Sequence, residues 1–209
     1  MDTPLGAILA GGASRRFGSP KALATVGGRM IVERVRDALA EAVGRVVLVT
    51  NEPERFATLG LDSRPDVHPG AGPVAGIEAA LRWAEEEGRP GALVAACDMP
   101  FLDPRALRSF VDLARSTGGS ADAVVAGTRE GANPPLCAYL SVRCLPAVER
   151  VLAGSDRSVR ALLSSVATAW LPMEEIARFR DPGTTFFNVN TPDDLRRAEQ
   201  IARELDERA

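Results

Sequence analysis

The chain has 209 residues, 45% of them hydrophobic, which is enough to bury one substantial core and points to a single domain. Its formal net charge of −3 argues against a nucleic-acid binder that works through a basic surface. No apolar run reaches the length of a membrane span and no basic, then apolar, leader opens the chain, so a cytoplasmic protein that engages neither nucleic acid nor membrane is expected.

Strands and helices alternate along the sequence. Leu5–Leu9 reads as a buried strand and Met30–Ala42 as a helix with apolar residues at helical spacing. Arg45–Thr50 is a second strand, Gly76–Glu87 a helix, and Gly91–Ala96 a third strand. Pro104–Arg115 is helical, Ala121–Ala126 and Leu136–Leu140 are strands, and Pro146–Ala153 and Ser158–Ser165 are short helices. Thr185–Val189 reads as a last strand. A final helix follows, with Thr191 as N-cap, Pro192 at its first position and Asp194 completing a capping box; its arginine- and glutamate-rich end after Gln200 is expected to fray. Continuous apolar strands between helices predict an α/β fold, a single Rossmann-like domain with a mostly parallel central sheet and helices on both faces. Cys97, Cys137 and Cys144 form no Cys-x-x-Cys site and read as reduced, buried thiols. The sole histidine, His68, reads as a solvated loop residue.

The segment Leu9–Lys21, Leu-Ala-Gly-Gly-Ala-Ser-Arg-Arg-Phe-Gly-Ser-Pro-Lys, directly follows the first strand. Gly11, Gly12 and Gly18 allow sharp turns that bring backbone N–H groups close to an anion. Arg15, Arg16 and Lys21 add positive charge where a polyphosphate would lie. Five residues separate Gly12 from Gly18, and Ser-Pro precedes Lys21, so this is not a Walker A loop. Adjacent Gly11 and Gly12 also exclude the dinucleotide fingerprint Gly-x-Gly-x-x-Gly. The segment resembles the nucleotidyltransferase signature Leu-Ala-Gly-Gly-x-Ser-x-Arg-x-Gly-x-x-Lys, matching every fixed position.

In an open α/β sheet, ligands bind outside the carboxyl ends of the strands. Asn51 follows the second strand, where its amide can read a base edge or a ribose. Cys97-Asp98-Met99-Pro100 follows the third, and an acidic residue pinned at a strand end suits a magnesium ligand that bridges to phosphate.

Taken together and in this order, the segments resemble the bacterial molybdenum cofactor guanylyltransferases over nearly the whole chain. Asp66 lies ahead of Gly72-Pro73-Val74-Ala75-Gly76, which is similar to the family's Gly-Pro-Leu-Ala-Gly element. Cys97–Phe101 is similar to its metal segment, and Phe187–Leu195 to its C-terminal signature. Asn133-Pro134-Pro135-Leu136 falls where the family places a His/Gln-Pro-Leu loop, and Asn133 departs from it.

The resemblance implies a nucleotide-diphospho-sugar transferase-like domain over residues 1–209, with 1–100 mainly for nucleotide and metal and 101–200 mainly for the cofactor side and the C-terminal signature. It implies Leu9, Ala10, Gly11 and Gly12 as nucleotide contacts, Lys21 for phosphate, Asn51 and Asp66 for the nucleoside, and Asp98 for Mg2+. Arg16, Lys21 and Asp98 would be the catalytic set, with Ser14, Arg15, Gly76, Asn188 and Asn190 in support. Asn188 and Asn190 stand where related sugar-activating enzymes place a second acidic metal ligand. GTP and molybdenum-molybdopterin would be the substrates, and molybdoenzymes or their chaperones would receive the product. A cytidylyltransferase, a sugar-1-phosphate nucleotidyltransferase and a non-catalytic carrier of the cofactor are the alternatives. Gly-Gly at 11–12, where cytidylyltransferases carry Ala-Gly, favours guanine.

Overall fold

Leu5–Leu9, all five buried, form β1 at the heart of a seven-stranded sheet. The computed structural model describes residues 3–11, 21–128 and 136–207. After β1 come a 3-10 turn at Lys21–Leu23, the two-residue strands β2 (Thr25–Val26) and β3 (Arg29–Met30), and helix α1 (Ile31–Val43). Strand β4 (Val46–Val49) and a 3-10 segment at Pro53–Leu59 lead to β5 (Ser63–Arg64), α2 (Pro73–Glu86), β6 (Gly91–Ala96) and α3 (Pro104–Ser116). The second half carries β7 (Ala123–Ala126), β8 (Cys137–Ser141), α4 (Leu145–Ala153), α5 (Val159–Ser164), β9 (Thr168–Leu171), α6 (Met173–Ala177), α7 (Pro182–Thr185) and α8 (Pro192–Asp206).

The sheet order is β5-β4-β1-β6-β8-β7-β9. Strand β8 runs antiparallel to both of its neighbours, and the other pairs are parallel. The chain moves outward from β1 through β4 to β5 and then returns to the other side of β1 with β6. That reversal opens a crevice at the carboxyl ends of β1, β4 and β6.

Alternate residues of each strand serve opposite faces. Ile8, Leu48 and Leu93 pack with α1 and α3 on one face, while Leu5, Ala7, Val47 and Val94 pack with α2 and α4 on the other. Sheets covered on both faces need continuous apolar strands, and these strands supply them. A third cluster joins Val26 and Ile31 to Phe101, Val189, Ala198 and Ile201, fastening α8 onto the β2–β3 hairpin. No helix among the described residues is long and apolar enough to cross a membrane.

Several boundaries differ from the sequence reading. Thr185–Val189 is not a strand. Asp181 accepts from Thr184 N at 2.7 Å, Pro182 opens α7, and the apolar residues that follow scatter to different neighbours. Phe186 meets Phe110 edge-on at 6.4 Å, Phe187 meets Phe101 at 6.4 Å, and Val189 enters the α8 cluster. The strand beyond β7 is instead β9, parallel to it, whose first three residues are only half buried. Helix α2 starts at Pro73, ahead of Gly76, because Gly72 at φ 80° turns the chain into it. The end of α8 does not fray at Gln200, since Ile201 and Ala202 are buried against the hairpin and the helix continues to Asp206. The capping box is as read: Thr191 Oγ1 accepts from Asp194 N at 3.1 Å, and Thr191 N donates to Asp194 Oδ2 at 2.8 Å.

Candidate active site

The crevice is fixed by backbone hydrogen bonds across the strand ends. Ala10 N donates to Val49 O at 2.9 Å, and Cys97 N donates to Leu9 O at 3.2 Å, so Leu9 and Ala10 are held between β4 and β6. The buried Thr50 hydroxyl donates to Ala10 O at 3.4 Å and accepts from Glu52 N at 3.2 Å. The Leu9 side chain turns away from the crevice into the α2 face of the core. A Cβ on Gly76 would stand 3.3 Å from Leu9 Cδ2, so Gly76 lets α2 approach β1 and serves packing. Gly11 is exposed at the mouth.

Asn51 and Asp66 leave adjacent strands and meet. Asn51 Nδ2 donates to Asp66 Oδ2 at 3.0 Å, and Asp66 N donates to Asn51 Oδ1 at 3.1 Å. Oδ1 of Asp66 is shielded from solvent and has no hydrogen-bond partner among the described residues. A buried carboxylate oxygen in that condition is costly unless a ligand donor satisfies it. A Cβ on Gly11 would lie 3.4 Å from Asp66 Oδ2, which places Gly11, Asn51 and Asp66 around one space.

Asp98 follows β6 and is 8% exposed. Its carbonyl accepts from Val189 N at 3.0 Å, which brings the segment bearing Asn188 and Asn190 alongside it. Asn188 Nδ2 donates to Phe186 O at 3.4 Å. Among the described residues no cluster of three His, Cys, Asp or Glu could hold a metal by itself. Magnesium binds through one or two carboxylates plus substrate phosphates and waters, so a single hard carboxylate at a strand end fits it. Gly12, Ser14, Arg15, Arg16, Gly18 and Asn133 lie outside the described residues, as does the Lys21 side chain; the Lys21 backbone opens the 3-10 turn Lys21–Leu23.

Next to this region a cavity of about 780 Å3 is lined by Pro73, Leu136, Ser158, Arg160, Met173, Phe186 and Asn188. Asn188 belongs to both the cavity and the segment tied to Asp98. Residues 6–169 match the model of the MobA-like NTP transferase domain.

The chain belongs to that family.

It is 37% identical over 198 residues to the probable molybdenum cofactor guanylyltransferase of Pelotomaculum thermopropionicum, covering 94% of this chain and 92% of that protein. It is 34% identical to the molybdenum cofactor guanylyltransferase of Desulfosudis oleivorans, covering 95% and 96%. The crystal structure of the molybdopterin-guanine dinucleotide biosynthesis protein A of Archaeoglobus fulgidus superimposes with a TM-score of 0.79 at 30% identity, over 96% of this chain and 99% of that one. The 4-diphosphocytidyl-2C-methyl-D-erythritol synthase of Anaerococcus prevotii, 12% identical, shares the fold at a TM-score of 0.72, over 97% of this chain and 96% of that one.

In this MobA-like chain Cys137 and Cys144 are buried as read, whereas Cys97, beside Asp98, is only half buried because it leaves the sheet at the end of β6. Burial pushes the Cys137 and Cys144 thiols up to about 12, which removes the thiolate a nucleophile needs. His68, read as a solvated loop residue, is half exposed, but its Nε2 lies 3.3 Å from Oε2 of the buried Glu78. Glu78 escaped the sequence reading altogether. Its signal was present: an acidic residue beside Val74, Ile77 and Leu81 on the apolar stripe of α2. The cavity residues Ser158, Arg160 and Met173 carried no such signal, because short elements brought together by the fold have no spacing in common.

Proposed function

We propose that the chain transfers GMP from GTP to the terminal phosphate of molybdenum-molybdopterin, giving the guanine dinucleotide form of the cofactor and pyrophosphate. An oxygen of the acceptor phosphate forms the new bond to the α-phosphorus, and the bond from α-phosphorus to the bridging oxygen of pyrophosphate breaks. A phosphate monoester is largely dianionic at neutral pH, so the nucleophile needs no general base. What remains for the protein is alignment and the neutralisation of charge. The observation that carries the reading is the convergence of Gly11, the Asn51–Asp66 pair and Asp98 on one crevice at the carboxyl ends of β1, β4 and β6.

In this reading the nucleoside lies against Gly11, and the unsatisfied Oδ1 of Asp66 accepts from it. The backbone N–H groups of the glycine loop, with Arg16 and Lys21, hold the β- and γ-phosphates. Asp98, with Asn188 and Asn190 in support, would hold Mg2+, which when bound would supply positive charge to the α-phosphate. The cavity beside Asn188 receives molybdopterin, with Arg160 placing a cation in its wall. Residues 1–100 thus supply the nucleotide side and residues 101–200 the acceptor side.

The test is pyrophosphate release with molybdenum-molybdopterin, Mg2+ and each nucleoside triphosphate in turn. Release with GTP well above that with CTP is expected. Equal or greater release with CTP selects a cytidylyltransferase, and GTP binding without release selects a carrier.

A further inference from the structure

We propose that His68 is a positioning residue for nucleoside recognition: through the buried carboxylate of Glu78 it moors the loop that carries Asp66. The inference rests on the guanylyltransferase reading.

The loop from Pro65 to Gly72 joins β5 to α2 and has little of its own to hold it in place. Gly70 and Gly72 sit at φ 81° and 80°, and Val67, next to Asp66, is 60% exposed. Its front end is fixed by the Asp66–Asn51 pair. At its rear, Ala71 N donates to His68 O at 3.0 Å, a bond that closes the turn on itself without anchoring it to the core. Ala71 packs against the core of the α2 face, and the polar contact of the loop with that face is His68 Nε2, 3.3 Å from Glu78 Oε2.

Glu78 is built to receive it. Its side chain is 3% exposed on α2. Oε1 accepts from Arg82 Nε at 3.0 Å and Nη2 at 2.8 Å, and the same Nη2 reaches Glu149 on α4 at 2.8 Å. Arg82 therefore satisfies one oxygen and ties the carboxylate to a second helix. Oε2 is buried and has no hydrogen-bond partner among the described residues, and the imidazole Nε2 stands 3.3 Å from it, where a small rotation lets it donate. A buried carboxylate oxygen facing a single cationic or donor side chain is a mooring point whose partner is specified. The span from His68 to Asp66 is two residues, so movement of the imidazole is passed directly to the carboxylate that faces the nucleoside. If the loop were unmoored, GTP would have to order it on binding, and that cost is read as lost affinity.

The experiment compares wild type, His68→Ala, His68→Gln and Asp66→Asn. GTP affinity is measured by calorimetry with Mg2+, and kcat and KM are measured with molybdenum-molybdopterin. Glutamine keeps a side-chain N–H at about the reach of Nε2. His68→Ala is expected to raise the Kd and KM for GTP about three- to tenfold, the scale of ordering a short loop, with kcat changed less than about twofold. His68→Gln is expected to recover most of the loss, and Asp66→Asn sets the scale for loss of the recognition group itself. GTP affinity unchanged in His68→Ala while Asp66→Asn is impaired overturns the inference alone. So does a kcat loss without a KM change, or a glutamine variant as weak as alanine. Wild type that fails to bind GTP overturns both this inference and the guanylyltransferase reading.

Discussion

Asn51 and Asp66 hold each other twice, side chain to side chain at 3.0 Å and side chain to backbone at 3.1 Å. The pairing follows from sheet register: Val49 of β4 stands opposite Arg64 of β5, so each residue lies two positions beyond that pair. The amide of Asn51 thereby fixes Oδ2 of Asp66 and leaves Oδ1 for a ligand. Asp66→Ala is predicted to raise the Kd for GTP by about ten- to a hundredfold, the scale of losing a hydrogen bond to a charged group. The far-UV spectrum should not change, because the pair lies beyond the strand ends. Calorimetric titration checks the affinity, and a wild-type Kd would remove Asp66 from the nucleoside site.

Asp98 is placed by two backbone bonds: Cys97 N to Leu9 O at 3.2 Å on one side, and Val189 N to its own carbonyl at 3.0 Å on the other. These bonds do not involve the carboxylate, so Asp98→Asn preserves the position and changes only the donor charge. Turnover is predicted to fall by about a hundredfold or more, as when a main electrostatic stabiliser is lost. A magnesium titration of initial rates is the measurement. Near-normal turnover at saturating Mg2+ would take Asp98 out of the metal site.

Lys21 closes the glycine segment and opens the 3-10 turn that leads to the β2–β3 hairpin. That hairpin is clamped by α8 through Val26, Ala198 and Ala202. An ammonium on the triphosphate is worth more than an exposed ion pair because several phosphate oxygens share it. Lys21→Ala is predicted to weaken GTP binding by about tenfold or more and to slow transfer, with an unchanged fold. A GTP titration that matches wild type would leave Lys21 as a solvated loop residue.

How much was legible in the sequence varies with how local the signal was. Strands β1 and β6 matched their read boundaries because each is a continuous apolar run followed closely in sequence by glycines or an acidic residue. Helix α8 declared itself through its cap, Thr191 before Pro192, while the Asp103 cap ahead of Pro104 in α3 emerged only in the structure. Strand β9 did not declare itself, because it borders the sheet with half-buried residues and its apolar run is only three residues long. Phe186, Phe187 and Val189 look like a strand in sequence, but each is apolar for a different neighbour. At the site, Asn51 and Asp66 were legible one at a time, while their mutual bonds depend on β4 and β5 being adjacent. The role of Glu78 needed the loop folded over it, and no spacing rule joins residues 68 and 78.

The proposed preference for guanine is most directly tested at Gly11. Alanine at a left-handed glycine would strain the backbone and harm every nucleotide alike, but Gly11 does not have such a φ. A methyl there would meet Asp66 Oδ2 at 3.4 Å, at the near edge of ordinary van der Waals contact, and no other atom of the described residues within 4 Å. The effect is therefore expected on the ligand. A methyl standing beside the recognition carboxylate takes space that a purine uses, and a pyrimidine, one ring smaller, tolerates it better. A methyl in a snug pocket is worth about 1–3 kcal/mol of discrimination. Gly11→Ala is predicted to lower the GTP/CTP ratio of kcat/KM roughly ten- to a hundredfold, mainly through GTP. Both nucleotides are measured on the same variant at matched Mg2+. Equal losses would assign Gly11 a backbone role, and base choice would then have to arise from Asn51 and Asp66 without help from the loop.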